Sequence, residues 1–211
     1  MDGTLAGRFF GVSPDGRTEA NLVERAKSDP EAFGELYETN YSRILNYIYR
    51  RTLDVAVAEE LTSNTFFKAF RALPKYRRHA PFAAWLYRIA TNEVRMHWRS
   101  ERKRRAREQQ PVGERDLERI YFTLPELEAK QEREERMRAY CRLRQCLRRL
   151  PERYQTVLML RYFEALSYDD IAQVVGKRVG TVKSLLHRGL KRLRRLLEEN
   201  DATFGGSSHY Q

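Results

Sequence analysis

The sequence predicts an all-α fold of two small helical domains joined by a linker. Three observations carry this. Apolar residues recur at three- and four-residue spacing through two long stretches. Between them, from Arg105 to about Glu132, the chain is charged, punctuated by Gly and Pro, and poor in periodic runs. Charge follows the same division. Residues 74–107 hold eleven basic residues against Glu93 and Glu101, 177–195 hold eight against none, and 108–137 carry nine acids and five bases. The expected organisation is a loose tail at 1–20, a first helical domain at 21–107, a linker at 108–135, a second domain at 136–199 and a tail at 200–211.

The tail mixes Gly, Ser, Pro and Asp. In "SDPEAFGELYETNYSRILNYIYRR", Asp29 can cap a helix and Pro30 suits its first position, while Phe33, Leu36, Tyr37, Ile44, Leu45 and Ile48 form an apolar stripe. "DVAVAEELTSNTFFKAFRALP" opens a second helix at Asp54 and stops it before Pro74, with Val57, Leu61, Ala69, Phe70 and Leu73 facing inward. Its other side shows Glu59, Glu60, Ser63, Asn64, Phe67, Lys68 and Arg71. Phe67 among charges points to a partner.

The loop "KYRRHAP" leads into "FAAWLYRIATNEVRMHWRSERKRR". At 100° per residue, Arg88, Asn92, Arg95, Arg99 and Arg102 fall within roughly an 80° stripe, beside an arc of Phe82, Trp85, Leu86, Ile89, Ala90 and Met96. A solvated helix face normally interleaves Glu with Arg. Here only Glu101 offers such a partner to the distal arginines, so the stripe suits phosphates. Tyr76, Phe82, Trp85, Tyr87 and Trp98 interleave with these charges, the combination that single-stranded nucleic acid requires of a binding groove.

After the linker, periodicity resumes at Tyr140, Leu143, Leu147 and Leu150, breaks at Pro151, and continues through Val157, Leu158, Leu160 and Phe163. A short helical piece is expected near Ile120 to Leu124. "LSYDDIAQVVGKRVGTVKSLLHRGLKRLRR" then reads as a helix-turn-helix. Ser167 and Asp170 make a capping box, and Ile171, Ala172, Val174 and Val175 face the core. Gly176 permits the left-handed turn, and a second helix begins near Val179. Val182, Leu186, Leu190, Leu193 and Leu197 supply its apolar edge. Lys183, Ser184, His187, Arg188 and Lys191 project from the other side, placed for a major groove.

Lys and Arg total 40 against 29 acids, a net charge of +11, which favours a polyanionic partner: nucleic acid first, an anionic membrane second. Membrane-surface binding needs a large exposed apolar face, and these helices spend theirs on packing. No charged start precedes an apolar core at the N-terminus, and runs such as Val157 to Leu160 are too short to span a bilayer, so the expected location is cytoplasmic. Cys141 and Cys146 lie five apart, off a shared helical face, and are expected to be reduced. Glu93 and His97 are four apart but lack a third ligand, so neither a metal, a cofactor nor a catalytic site is expected.

Taken in order, "DPEAFGELYETNY", "AEELTSNTFFKAFRALPKY", "FAAWLYRIATNEVRMHWR" and "LPERYQTVLMLRYFEALSYDDIAQVVGKRVGTVKSLLHRGLKRLR" resemble region 2 and region 4 of the bacterial sigma factors of the extracytoplasmic-function group, over roughly residues 29–104 and 150–197. The resemblance implies a non-catalytic initiation subunit of the sigma-70 family that binds core RNA polymerase at its clamp helices and flap, reads the minus-10 and minus-35 promoter elements and promotes melting. It also implies control by an anti-sigma factor. The face of Glu59, Glu60, Ser63, Asn64, Phe67, Lys68 and Arg71 resembles the polymerase-docking surface. Lys75, Tyr76, Arg77, Phe82, Trp85, Arg88, Asn92, Arg95 and Arg99 fall on the minus-10 side, and Arg178, Thr181, Lys183, Ser184, His187, Arg188 and Lys191 on the minus-35 side. Ser63 and Asn64 replace the family's frequent Gln-Glu, Lys177 an aliphatic residue, and Leu185 an Arg, which alters the expected minus-35 sequence. A helix-turn-helix regulator that binds duplex without joining the polymerase is the alternative, but it predicts a receiver or ligand domain that residues 29–104 do not resemble.

Overall fold

The computed structural model describes residues 19–77, 80–108 and 130–205. Residues 1–18 and 206–211 of the two expected tails, and 109–129 of the linker with its expected helical piece near Ile120 to Leu124, lie outside the described residues, whereas 130–135 of the expected linker and 200–205 of the expected tail are helical. Within them the regular structure is helical: α1 (Glu19–Arg25), α2 (Pro30–Thr52), α3 (Val55–Ala72), a single 3-10 turn (Leu73–Lys75), α4 (Phe82–Glu108), α5 (Lys130–Arg149), α6 (Glu152–Tyr162), α7 (Tyr168–Val175) and α8 (Val179–Gly205).

Caps set the starts of these helices. The Glu31 N–H donates to Asp29 Oδ1 at 2.9 Å, with Pro30 at the first helical position, and the Val57 N–H donates to Asp54 Oδ1 at 3.1 Å. Helix α1 is an addition to the sequence expectation. It falls at the edge of the Gly- and Pro-rich tail, and it forms because Leu22, Val23 and Ala26 find cover against α2. At the other end of α5, Pro151 forces the break, and the Gln155 side chain donates to the carbonyls of Leu150 and Arg148 at 2.7 and 3.1 Å, satisfying two acceptors that the helix end leaves open.

Helices α1–α4 pack around Leu36, Ile44, Ile48, Ala58, Leu61, Phe66, Leu86 and Ala90. Helices α5–α8 pack around Cys146, Val157, Leu158, Leu160, Leu166, Ile171, Val182 and Leu186. Both cysteines are thiols, and Cys146 Sγ donates to the Leu196 carbonyl at 3.4 Å. Several stripe residues lie elsewhere than expected. Phe70 and Met96 are exposed, whereas Phe66, four residues before Phe70, and Val94, two residues before Met96, are buried. Tyr37 is at the surface, its ring 4.6 Å from that of Phe66. Leu190 is exposed as well, since Gly189 takes the contact line with α6.

The two halves are docked on each other through α4 and α7 and a polar seam. Arg50 Nη1 donates to Glu164 Oε1 at 2.7 Å and the Tyr87 hydroxyl donates to Glu164 Oε2. Arg51, whose side chain is 1% exposed, donates to Thr156 Oγ1 at 2.9 Å and to the Tyr47 hydroxyl at 3.1 Å. Arg51 Nη2 also lies 3.7 Å from Glu152 Oε1. Burial pushes both the Glu164 carboxyl and the Tyr87 phenol above their ordinary ranges. Arg50 Nε, Arg51 Nε and Arg144 Nη1 are buried with no hydrogen-bond partner, at a cost of about 1–3 kcal/mol each. These polar pairs, not all of them satisfied, sit beside an apolar contact, since the buried residues of both halves belong to one hydrophobic cluster.

Helix α8 passes close over α6 at Gly189, where an added Cβ would stand 3.3 Å from Leu158 Cδ1 and 3.4 Å from Tyr154 Cβ. Gly189→Leu should lower the urea unfolding free energy by about 1–3 kcal/mol through overpacking. An unchanged midpoint would show that α8 does not run this close to α6.

Candidate nucleic-acid interface

Helix α4 divides cleanly. Phe82, Leu86, Ala90 and Val94 are buried, while Arg88, Asn92, Arg95, Arg99 and Arg102 are exposed. Its one acidic residue near the middle, Glu93, faces inward, where Lys68 Nζ donates to both carboxylate oxygens at 2.6 and 2.7 Å. That pairing removes Glu93 from any metal role with His97, and no group of three or more His, Cys, Asp or Glu among the described residues is placed to hold a metal ion. The stripe thus presents cations with little internal compensation. Arg95 is the exception, with its Nε 3.3 Å from Glu152 Oε1 across the seam and its Nη1 3.5 Å from Asn92 Oδ1.

Beside the N-terminal end of α4 lies a cleft of about 280 Å³, lined by Lys75, Tyr76, Arg77, Trp85, Arg88 and, from α7, Gln173. Two rings line its wall, Tyr76 and Trp85, 4.8 Å apart between centroids, and Phe82 packs against Trp85 at 5.6 Å. Tyr76 and Phe82 are buried, and the Tyr76 hydroxyl donates to the Ala80 carbonyl. These two rings hold the wall upright, leaving half-buried Trp85 as the ring that reaches the opening. Lys75, Arg77 and Arg88 are exposed at its rim.

The second cationic surface is built by the turn between α7 and α8. Ser167 caps α7, accepting from the Asp170 N–H at 3.0 Å while its hydroxyl donates to Asp170 Oδ2 at 2.6 Å. Gly176 ends α7 at φ 64°, ψ 42°, a left-handed conformation that lets the chain reverse in two residues before α8 starts at Val179. Ala172 and Val182 are buried where the two helices meet. Arg178, Thr181, Lys183, Ser184, His187, Arg188 and Lys191 are all exposed, and the stretch from Ile171 to Leu197 contains no carboxylate. The Lys183 ammonium lies 5.7 Å from the Tyr168 ring centroid, which steadies it without neutralising it.

On α3, Glu59, Glu60, Ser63, Phe67, Lys68 and Arg71 are exposed and Asn64 is half-buried. Phe67 is 60% exposed, with the Arg71 guanidinium 5.7 Å from its ring centroid. Phe70 and Tyr37 extend this face with further exposed aromatic surface, and the Phe70 ring stands edge-on to Phe33 at 5.0 Å. Sequence reasoning missed that extension, as it missed Gln173 in the cleft and Glu152 and Glu164 in the seam. In the sequence, Tyr37 and Phe70 read as members of the apolar stripes of α2 and α3. The other three act on partners across the seam, Glu164 on a residue 77 positions away, so no local pattern marks them.

Residues 36–104 match the Sigma-70 region 2 model and residues 142–193 the model of Sigma-70, region 4. The chain is 32% identical over 181 residues to the RNA polymerase sigma-H factor of Pseudomonas aeruginosa, an overlap of 85% of this chain and 94% of that one. With the ECF RNA polymerase sigma-E factor of Haemophilus influenzae it shares 30% identity over 181 residues, covering 81% and 90%. Among solved structures, the sigma factor RpoE in complex with the anti-sigma factor NepR from Bartonella quintana has the same fold at 20% identity, with a TM-score of 0.62 over 79% of this chain and 96% of that one. With both regions present in order on two helical halves that each offer a cationic face, the chain belongs to the sigma-70 family of RNA polymerase sigma factors, in its extracytoplasmic-function group.

Proposed function

We propose that this chain is a non-catalytic initiation subunit that joins core RNA polymerase in the cytoplasm, recognises minus-10 and minus-35 promoter elements and promotes melting. The observation that supports this best is the separation of two unlike cationic surfaces on two halves. One is an exposed row on α4 beside a ring-walled cleft; the other is the exposed first half of α8 behind a glycine turn. The α8 surface suits duplex, since an exposed helix carrying six polar or cationic groups, with Arg178 just before it, fits a major groove, with phosphate contacts setting register and a few side chains specifying bases. The α4 surface suits separated strands, with Trp85 offered to a base and Arg88, Asn92 and Arg99 to the backbone. Captured bases then offset the few kcal/mol of unstacking that melting requires.

The exposed Phe67 face of α3 is the proposed seat on the clamp helices, and the second half is proposed to meet the flap. Two modest DNA contacts held on one large enzyme reinforce each other through effective concentration. An anti-sigma protein is a further proposed partner.

Reconstitution with core polymerase on a promoter library tests the reading directly: run-off transcripts that require this chain support it, and their absence refutes it. Arg88→Ala together with Arg99→Ala should cut open-complex yield, scored by permanganate reactivity, while leaving polymerase binding intact. Phe67→Ala should weaken association with core polymerase about tenfold in a fluorescence titration, the loss of one aromatic anchor. For Lys183→Ala with Arg188→Ala, duplex binding should fall and the slope of log K against log salt should shrink by about 0.9 per lost phosphate contact. A wild-type slope would take both residues off the contact surface.

A further inference from the structure

Three buried donors without partners belong to one place. Arg50 Nε, Arg51 Nε and Arg144 Nη1 are the unmatched buried side-chain nitrogens among the described residues, and all three arginines line a single cavity of about 20 Å³ between α2, α5 and α6. Arg148, exposed, lines it as well, with half-buried Tyr140 and Phe163 beside it. No carboxylate belongs to the lining. The Arg51 side chain is 1% exposed, so its unmatched nitrogen is sealed from bulk water.

Charge in this corner does not balance. Arg50 is paired with Glu164, and Arg51 lies 3.7 Å from Glu152, whose carboxylate also takes Arg95. Arg144 lies over the Tyr140 ring at 5.6 Å, and neither it nor Arg148 pairs with a carboxylate among the described residues. Four guanidinium groups thus meet two carboxylates, one of them shared with a fifth arginine. A buried donor left unmatched is costly. Guanidinium nitrogens carry donors only, so whatever satisfies them must bring acceptors. A water brings acceptors without charge, and a carboxylate brings two oxygens and one charge. A phosphate group brings oxygens in several directions and nearly two charges, which suits several guanidinium forks at once. Apolar Leu147 and Met159 complete the lining and lower the local dielectric, which strengthens attraction to an anion.

We propose that this cavity is a binding site for a single phosphate group, held by Arg51, Arg144 and Arg148, with Arg50 fixed beside them by Glu164. None of the lining residues belongs to the surfaces assigned above to DNA or to polymerase, so the site goes beyond the sigma-factor reading and does not depend on it. Space of about 20 Å³ is on the scale of one small ion. The group therefore arrives as free phosphate or as the end of a larger molecule whose remainder stays outside, beyond Arg148.

The test titrates inorganic phosphate into the full-length protein. The thermal midpoint is read by differential scanning fluorimetry against potassium chloride at equal ionic strength, and stoichiometry by isothermal titration calorimetry. Wild type should take up about one phosphate per chain with a Kd of about 0.1 mM, so that about 10 mM raises the midpoint by about 5 °C over the chloride control. Arg144→Met keeps the stem and removes the guanidinium. Without phosphate it should melt no lower than wild type, because an unmatched buried donor is lost rather than a pair, and with phosphate it should lose most of the shift. A residue that merely held the fold would lower the starting midpoint and keep the shift. Arg192→Ala, at an exposed cation outside the cavity, should keep the wild-type shift. Adenosine monophosphate separates the two sources. Displacement of phosphate by it points to a group borne on a larger molecule, failure to displace points to the free anion, and either supports the site. Wild type with no shift beyond the chloride control overturns the proposal, and that comparison needs no variant to fold. A phosphate shift that Arg144→Met retains in full is a general salt effect and overturns it too.

Discussion

A helix that keeps a row of guanidinium groups free of carboxylates must be held in place entirely from its other side. That constraint shapes both halves. Helix α4 offers Arg88, Arg99 and Arg102 to the exterior and is anchored by Leu86, Ala90 and Val94, with Lys68 reaching over to neutralise the one buried carboxylate. Helix α8 offers Lys183, Arg188 and Lys191 and is anchored by Val182, Leu186 and the close crossing at Gly189. Like charges spaced three and four residues apart repel along each helix, so the isolated segments would be poor helices. Packing supplies what local electrostatics withholds, and a polyanion relieves the repulsion on binding.

The joint between the halves follows another logic. Charged groups are brought into its interior, where attraction between partners does little more than offset their desolvation. Glu164 is well served, with a phenol and a guanidinium on its two oxygens, whereas Arg51 is buried with one nitrogen unmatched. Such pairs fix geometry and add little stability of their own; the apolar cluster shared by both halves supplies the rest. The polar partners come from α2, α4, α6 and the turn after α6, and Arg95 in particular has a second use on the outer face of α4.

Much of the helical architecture was legible in the sequence because its signals are local. Asp29 with Pro30, Asp54, Ser167 with Asp170, and Gly176 each act within a few residues, and each acts as its chemistry requires. The exposed character of α8 was legible for the same reason, since it follows from the absence of acids beside an apolar edge. What escaped was rotational detail and everything across the seam. Phe70, Met96 and Leu190 sit at the borders of apolar stripes, where a shift of one position exchanges inside for outside, and a glycine at 189 carries no hydropathy to announce a contact. Glu152 and Glu164 look like ordinary helix-end acids in a charged chain. Their meaning depends on Arg95, Arg50 and Tyr87, which only the docked fold brings within reach.

The two halves form a single compact body in isolation and should become two separate ones at a promoter. The most direct measurement is the distance between spin labels carried by noncanonical residues at Ser42 on α2 and Arg194 on α8, both exposed, taken by double electron–electron resonance. A single short distribution for the free chain, replaced by one longer by tens of ångströms once core polymerase and promoter DNA are added, is the result predicted by the separation of the two DNA sites. An unchanged short distance in a transcriptionally competent complex would contradict it.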